Sequence, residues 1–295
     1  MNETLILSQI FAGLSRSMLL FFVGSGLTVI FGLLKIFNFA HGAFYMLAAY
    51  LGFTLATTMG GGLGLWGSVV VIPVVVAAVG ILIERFILRR IYQKELLLQL
   101  VVTYALSLIL AESVLWIYGG SPRSSMAPPI FLHSLRMGSI TIPYYQLFII
   151  AMGFVIAILM WYLFAKTPMG WKIEAAVTDR PMASGLGINV DLLFTATFGI
   201  GSWLAGMAGV LSLPIASAAP GMDVSMAVET FAVVIIGGLG NIWGTLAAAL
   251  LIGVIDALGI LWLPRGSIVF VYVLMVAVLL LRPHGLFGAP MRGLK

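Results

Sequence analysis

The stretch Ile36-Phe-Asn-Phe-Ala-His-Gly-Ala-Phe-Tyr-Met-Leu-Ala-Ala-Tyr50 sets an amide, Asn38, and an imidazole, His41, beside Gly42 where two long apolar runs meet. A polar side chain surrounded by hydrocarbon must find an internal partner or line a wet cavity. Asn38, His41 and Gly42 are therefore candidates for a pathway or gate. Because Lys35 marks a charged end of the preceding run, the stretch is expected at the cytoplasmic mouth or in a re-entrant turn there, with Asn38 and His41 as a hydrogen-bonded hinge.

The apolar character extends in both directions. Of 295 residues, 62% are hydrophobic and 8% charged, against about a quarter charged in a soluble domain. The class is all-α, a polytopic membrane helix bundle in a single transmembrane domain spanning 1–295. With no cysteine, disulfides and Cys-ligated metals are excluded. The 34 glycines suit helices that pack closely through small residues. The formal charge of +5 sits at span ends, where it reports orientation and implies no nucleic acid.

At about 20 residues per helical span, hydrophobic segments fall at 17–34, 39–58, 64–83, 96–118, 143–165, 191–213, 226–238, 242–263 and 267–281. That is eight or nine spans, because 226–238 is short and Gly237-Gly-Leu-Gly-Asn241 follows it, so 226–241 reads as a half-helix or a full span. Residues 1–16 read as an interfacial lead-in, with Arg16 snorkelling to the surface. Lys35, Arg85, Arg89, Arg90, Lys94, Lys166, Lys172, Arg180, Arg282, Arg292 and Lys295 fall on one side; Arg16, Arg123, Arg136 and Arg265 fall on the other. The basic side faces the cytoplasm by the positive-inside rule, which puts the N-terminus outside. Small residues repeat every four at Ala48, Gly52 and Ala56, at Gly240, Gly244 and Ala248, and at Ser202 and Gly206, a spacing that favours close helix crossings.

Motifs for chemistry are missing. No Gly-Lys pair occurs, so the chain has no Walker A loop and is not its own ATPase. Gly62-Leu-Gly-Leu-Trp-Gly67 matches a dinucleotide fingerprint by chance, since it lies in a short link between spans. A serine-hydrolase elbow and a His-Glu-x-x-His pair are absent. The chain is read as a non-enzyme that binds no metal and no cofactor itself.

Gly237, Gly238, Gly240 and Asn241 interrupt helix at apparent membrane depth, where open backbone is tolerated only inside protein or beside water. They join the pathway candidates, as does Asp256 in mid-span. Glu112 is also placed in a span, and a carboxylate there must pair or be neutralised. Asp223 and Glu229 read as residues near the outer surface. Asp256, Glu112 and His41 together motivate an alternative reading as an ion-coupled secondary transporter.

Between spans lies the cytoplasmic loop 166–190. Thr167-Pro168 suits a helix start, Glu174 to Val177 favour helix, Pro181 disfavours helix at Arg180, and Gly187 suits a left-handed stop. The pattern predicts a short helix, a bend and a second short helix, with Ala and Met exposed to a partner.

Four pieces in this order resemble the LivH-like permeases of ABC transporters for branched-chain and other hydrophobic amino acids, small amides or urea. They are Phe37-Asn-Phe-Ala-His-Gly42, Met169-Gly with Asp179 and Met182-Ala-Ser-Gly-Leu-Gly-Ile-Asn189, Ala205-Gly-Met-Ala-Gly-Val-Leu211, and Ile236-Gly-Gly-Leu-Gly-Asn-Ile-Trp-Gly244. The resemblance implies a multi-pass permease of the bacterial inner membrane that imports substrate by alternating access. It also implies a second homologous, LivM-like permease, two cytoplasmic ATPases that use ATP and Mg, and a periplasmic binding protein. Glu174, Ala175, Thr178, Asp179, Arg180, Ala183, Leu186 and Gly187 would belong to the ATPase-coupling loop. One departure stands out: Glu174-Ala175 replaces the family's usual Arg-Ala, reversing one charge.

Overall fold

The computed structural model describes residues 3–137, 140–263 and 266–288. Its helices are α1 (Glu3–Leu34), α2 (Ala40–Met59), α3 (Gly61–Phe86), α4 (Leu96–Tyr118), α5 (Tyr144–Lys166), α6 (Pro168–Thr178), α7 (Arg180–Gly185), α8 (Val190–Ser212), α9 (Met222–Gly237), α10 (Ile242–Trp262) and α11 (Ser267–Leu281). Every expected hydrophobic segment contains a helix, and seven of these helices are long and apolar enough to cross a membrane. The remaining two, α9 and α11, have 16 and 15 residues. Between α4 and α5 a short antiparallel pair, β1 (Ser134–Met137) and β2 (Ile140–Pro143), aligns Leu135 with Ile142. These strands are too brief to register in an apolar-run reading.

Three boundaries differ from the sequence expectation. Residues 3–16 form the first half of a 32-residue helix, about 48 Å long at 1.5 Å per residue, so they are part of the first helix and not a separate lead-in, and the Arg16 side chain turns to two carboxylates of the bundle. Segment 226–238 belongs to a single helix that starts at Met222. Gly62–Gly67 lies in the opening turns of α3 and not in a link, which leaves no loop to hold a phosphate. Arg265, Arg292 and Lys295 lie outside the described residues.

Helix α1 is the central post. Its most apolar window is 89% buried, and it packs on α5, α8, α9 and α10. A helix apolar on all sides is driven to such a place because it has no polar face to offer water. Its closest crossing, with α10, uses small residues: a Cβ on Gly13 would stand 2.7 Å from Ala257 Cβ and 2.8 Å from the Gly253 carbonyl. Ser17 meets Gly253 at the same crossing. The repeats singled out in the sequence do similar work. Ala48 faces Gly209, Gly52 faces Val210 and Leu213, Ala56 faces Gly64, Ser202 faces Gly80, and Gly206 faces Pro73. In contrast, α3, α4, α5 and α11 turn Val70, Val74, Leu97, Ile109, Val155, Ile158, Val273 and Leu280 outward, a surface suited to lipid or another apolar subunit.

Candidate functional site

The crossing of α1 with α10 brings Arg16, one turn from Gly13, against Asp256, which immediately precedes Ala257. Arg16 Nη2 donates to Glu229 Oε1 of α9 at 2.7 Å, and Arg16 Nη1 lies 2.6 Å from Asp256 Oδ2. The two carboxylate side chains are nearly buried, while 44% of the Arg16 side chain is exposed. That exposure is into a cavity of about 420 Å³ whose wall includes Gln9, Arg16, Leu19, Leu20, Tyr45, Ser217, Met222, Ser225, Met226, Glu229, Asp256 and Ile260. Gln9, Ser217 and Ile260 come from the α1 start, the α8–α9 link and the α10 end, so the cavity lies at the outer end of the bundle.

Charges this deep need each other. An isolated buried ion costs several kcal/mol in effective desolvation, repaid only by close partners. One guanidinium shared by two carboxylates leaves a formal surplus of one negative charge on a largely apolar wall. Glu229 and Asp223 lie toward the outer end, as expected, but both are buried and not solvated there. Glu112 is exposed on α4 beside Tyr50 and Gly221, away from this cavity.

The opening stretch is deeper than expected. Helix α1 ends at Leu34 and Lys35 takes a left-handed φ of 56°, a conformation that costs a non-glycine residue energy and here reverses the chain. The segment through Phe39 climbs back into the bundle. His41 Nε2 lies 3.0 Å from the Val23 carbonyl, next to Gly26 and the Gly201 level of α8. Val23 precedes Lys35 by twelve residues, roughly 18 Å of helix, so His41 sits at mid-depth and not at the cytoplasmic mouth. The re-entrant link is present; its depth is corrected. Asn38 is fully buried, and its Oδ1 accepts from Ala40 N at 3.2 Å, capping the turn into α2. Gly42 gives α2 room against the Asp223 carbonyl and Ala227 of α9. None of the three lines the charged cavity, although Tyr45, one turn on from His41, does.

The glycine turn after α9 lies at the opposite end. Gly238 and Gly240 have φ of 99° and 85°, and the chain beyond α11 folds onto them. Leu286 N donates to Ile236 O at 2.7 Å, Phe287 N to Gly237 O at 3.3 Å, and Asn241 Nδ2 to Phe287 O at 3.0 Å. Asn241 Oδ1 also caps α10 by accepting from Gly244 N at 2.9 Å. Side chains at Gly237 or Gly238 would collide with Gly244 and Gly288. Gly237, Gly238, Gly240 and Asn241 therefore form a receptor for the 282–288 strap at the cytoplasmic end, not an open stretch at membrane depth.

The loop 166–190 folds as the pattern predicts. Pro168 opens α6, Asp179 caps α7 by accepting from Met182 N at 2.9 Å, and Gly187 stops it at φ 84°. One boundary is corrected: Arg180, expected outside helix, is the first helical residue of α7, because Pro181 is tolerated in a first turn and the bend falls at Asp179 instead. Glu174, Thr178, Asp179, Leu186 and Gly187 are exposed, together with Trp171 and Met182. The alanines correct the expected docking face: Ala176 and Ala183 are buried and Ala175 is half-buried, because they seat the loop on the bundle. Arg180 is engaged too. It donates to Asp191 Oδ1 at 3.2 Å and lies over the Phe194 ring, while Arg89 pairs with the other oxygen of Asp191.

Beside that knot, Glu84 is fully buried and accepts from Tyr92 Oη at 2.6 Å and Thr195 Oγ1 at 2.7 Å. Burial, then the Glu84 carboxylate, raises the Tyr92 phenol above its ordinary value, so it stays a donor. The other side of the loop is a crevice where Gly170, Ile173 and Glu174 of α6 meet Gly32 and Leu33 of α1 and Lys35 just beyond it, with Gly240 and Ile242. Arg16, Glu229, Glu84 and Asp191 are the residues that the sequence reading failed to place in a site. The cue for the first two was that Arg16 lies inside one apolar run while Glu229 and Asp256 lie inside two others, and charges in such runs gain by pairing.

Comparison with known proteins adds a family. The family described as branched-chain amino acid transport system, permease component, matches residues 9–280. The chain is 28% identical to the high-affinity branched-chain amino acid transport system permease protein BraD of Pseudomonas aeruginosa, over 96% of each chain. It is equally similar, at 28% and 96% of each chain, to LivH of Escherichia coli, a permease protein of the same kind of system. A probable LivH of Methanocaldococcus jannaschii is 27% identical over 95% of this chain and 91% of its own. No solved structure matches the chain.

Proposed function

Because the chain belongs to the family of branched-chain amino acid transport system permease components, we propose that it forms the membrane path of an ABC importer for branched-chain amino acids. It is a multi-pass protein of the inner membrane, and its part in the system is translocation. The reading includes a second, LivM-like permease beside it, a periplasmic protein that delivers substrate to the outer cavity, and two cytoplasmic ATPases that bind ATP and Mg. Residues 1–295 act as a single permease domain in this account.

One observation carries it. Helix α6 shares a crevice with the cytoplasmic ends of α1 and α10, the two helices whose outer halves hold Arg16 and Asp256. A shift of α6 by an ATPase would therefore lever the cavity wall directly, which is what alternating access requires of a chain with no nucleotide site. Exposed Trp171, Met182 and Leu186 offer the loop's apolar contact, while Arg180 and Ala183 hold it to α8. The Glu174 charge reversal fits here as well: Glu174 lies in the crevice with Lys35 as well as at the surface.

Uptake in proteoliposomes holding the permeases and ATPases tests the proposal. Leucine accumulation that requires ATP and the binding protein, and that survives collapse of proton and sodium gradients, is the expected result. Accumulation driven by an ion gradient without ATP would overturn it.

A further inference from the structure

The charged cavity carries an inference about what this subunit recognises. We infer that Arg16, Glu229 and Asp256 form a transit site that reads both charges of a free α-amino acid, so that the membrane subunit itself discriminates against uncharged and singly charged analogues. The inference rests on the importer reading and adds a selectivity step to it.

The chemistry follows from donors and acceptors. A guanidinium has five N–H donors in a fixed fork. Arg16 directs one nitrogen at each carboxylate, and its partial exposure leaves hydrogens facing the cavity. A substrate carboxylate can take these in the paired geometry arginine favours. Asp256 Oδ2 is buried 2.6 Å from Arg16 Nη1 in an ion pair that is not aligned as a hydrogen bond. The Asp256 carboxylate thus keeps hydrogen-bonding capacity beyond its ion pair with Arg16, and an ammonium supplies three donors. A ligand with only a carboxylate would meet two carboxylates and gain little. A ligand with only an ammonium would compete with Arg16 for the same oxygens. A zwitterion satisfies both sides and conserves the charge balance of the cluster.

The remaining wall defines the side chain. Leu19, Met222 and Met226 border the charged groups, and methionine adapts to branched shapes. A cavity of about 420 Å³ is near the lower end of small-ligand sites, which suits one amino acid and excludes a peptide.

The test uses the assembled permease–ATPase complex in nanodiscs, without binding protein, and radiolabelled leucine at scintillation proximity. Unlabelled leucine should compete, while leucinamide, which lacks the carboxylate charge, and 4-methylpentanoate, which lacks the ammonium, should each compete at least about tenfold less well, the equivalent of one charge-assisted hydrogen bond. Equal competition by either analogue overturns the inference. Arg16→Gln should abolish leucine binding. Should that variant fail to assemble, Ser225→Trp fills the cavity while keeping all three charged groups, and leucine binding retained by it would overturn the inference. If the same complex in proteoliposomes with the binding protein shows ATP-dependent leucine uptake but the nanodisc assay shows no charge discrimination, the transit site is wrong and the importer reading stands; if the proteoliposomes show no ATP-dependent uptake, the importer reading itself has failed.

Discussion

Arg16 of α1 and Glu229 of α9 are joined by a 2.7 Å hydrogen-bonded ion pair across 213 residues of sequence. The pair fixes the outer halves of two helices at a set distance and, with Asp256, makes a cavity in which an arginine faces two carboxylates. It exists because Gly13 and Gly253 let α1 and α10 touch.

Removing the arginine should therefore destabilise the protein as well as disable it. Breaking one side of a buried ion pair costs ~3–5 kcal/mol, and the partial exposure of Arg16 points to the lower end of that range. Arg16→Gln is expected to lower the melting temperature of the purified complex, and the added change Glu229→Gln should recover part of the loss. A Glu229→Gln change that makes R16Q less stable still would contradict the pairing.

The helix crossing has its own test. Gly13→Val places methyl groups against Ala257 and the Gly253 carbonyl, where overpacking costs ~1–3 kcal/mol. Gly120→Val, where a Cβ meets nothing within 4 Å, should leave the melting temperature almost unchanged. Equal effects at the two sites would remove the crossing as the feature that builds the cavity.

Much of this architecture was legible in the sequence. The nine apolar segments and the two loop helices depend on local composition and on particular caps, Pro168, Asp179 and Gly187, and each appears, with α1, α7 and α9 starting earlier than those signals suggest. Depth was less legible. Lys35 marks the end of α1, but its left-handed turn sends the chain back toward Val23, so a charge at position 35 says little about the depth of His41. Gly237 to Asn241 carry backbone signals that serve a substrate path or a docking slot equally well, and only the return of residues 282–288 decides between them. The Arg16 cluster escaped because its three members come from three separate helices.

The strap should stabilise the turn it covers. Asn241→Ala removes the bond to Phe287 and the cap on Gly244, and a lost N-cap costs ~1 kcal/mol. Faster hydrogen exchange at the end of α9 and over 282–288 is the expected outcome, with exchange in α2 unaltered. Unchanged exchange at both places would show that the strap is not held through Asn241.

At the cytoplasmic face, Leu186→Glu alters an exposed apolar residue, whereas Asp191→Asn loosens the tie from α7 to Arg89. The first should reduce co-purification of the ATPases without affecting insertion. The second should retain them but lower the leucine transported per ATP hydrolysed. If Asp191→Asn left that ratio at its wild-type value, the knot would be structural only.

The central claim, that the cavity opens outward and closes when the ATPases engage, is most directly tested by labelling a single engineered thiol. The chain has no cysteine, so Ser225→Cys, at an exposed cavity position, gives a probe without background. In right-side-out vesicles of the assembled transporter, an impermeant maleimide added outside should label this thiol in the nucleotide-free state, and ATP trapping should slow the labelling severalfold. Labelling only from the cytoplasmic side, or a rate indifferent to ATP trapping, would contradict the account.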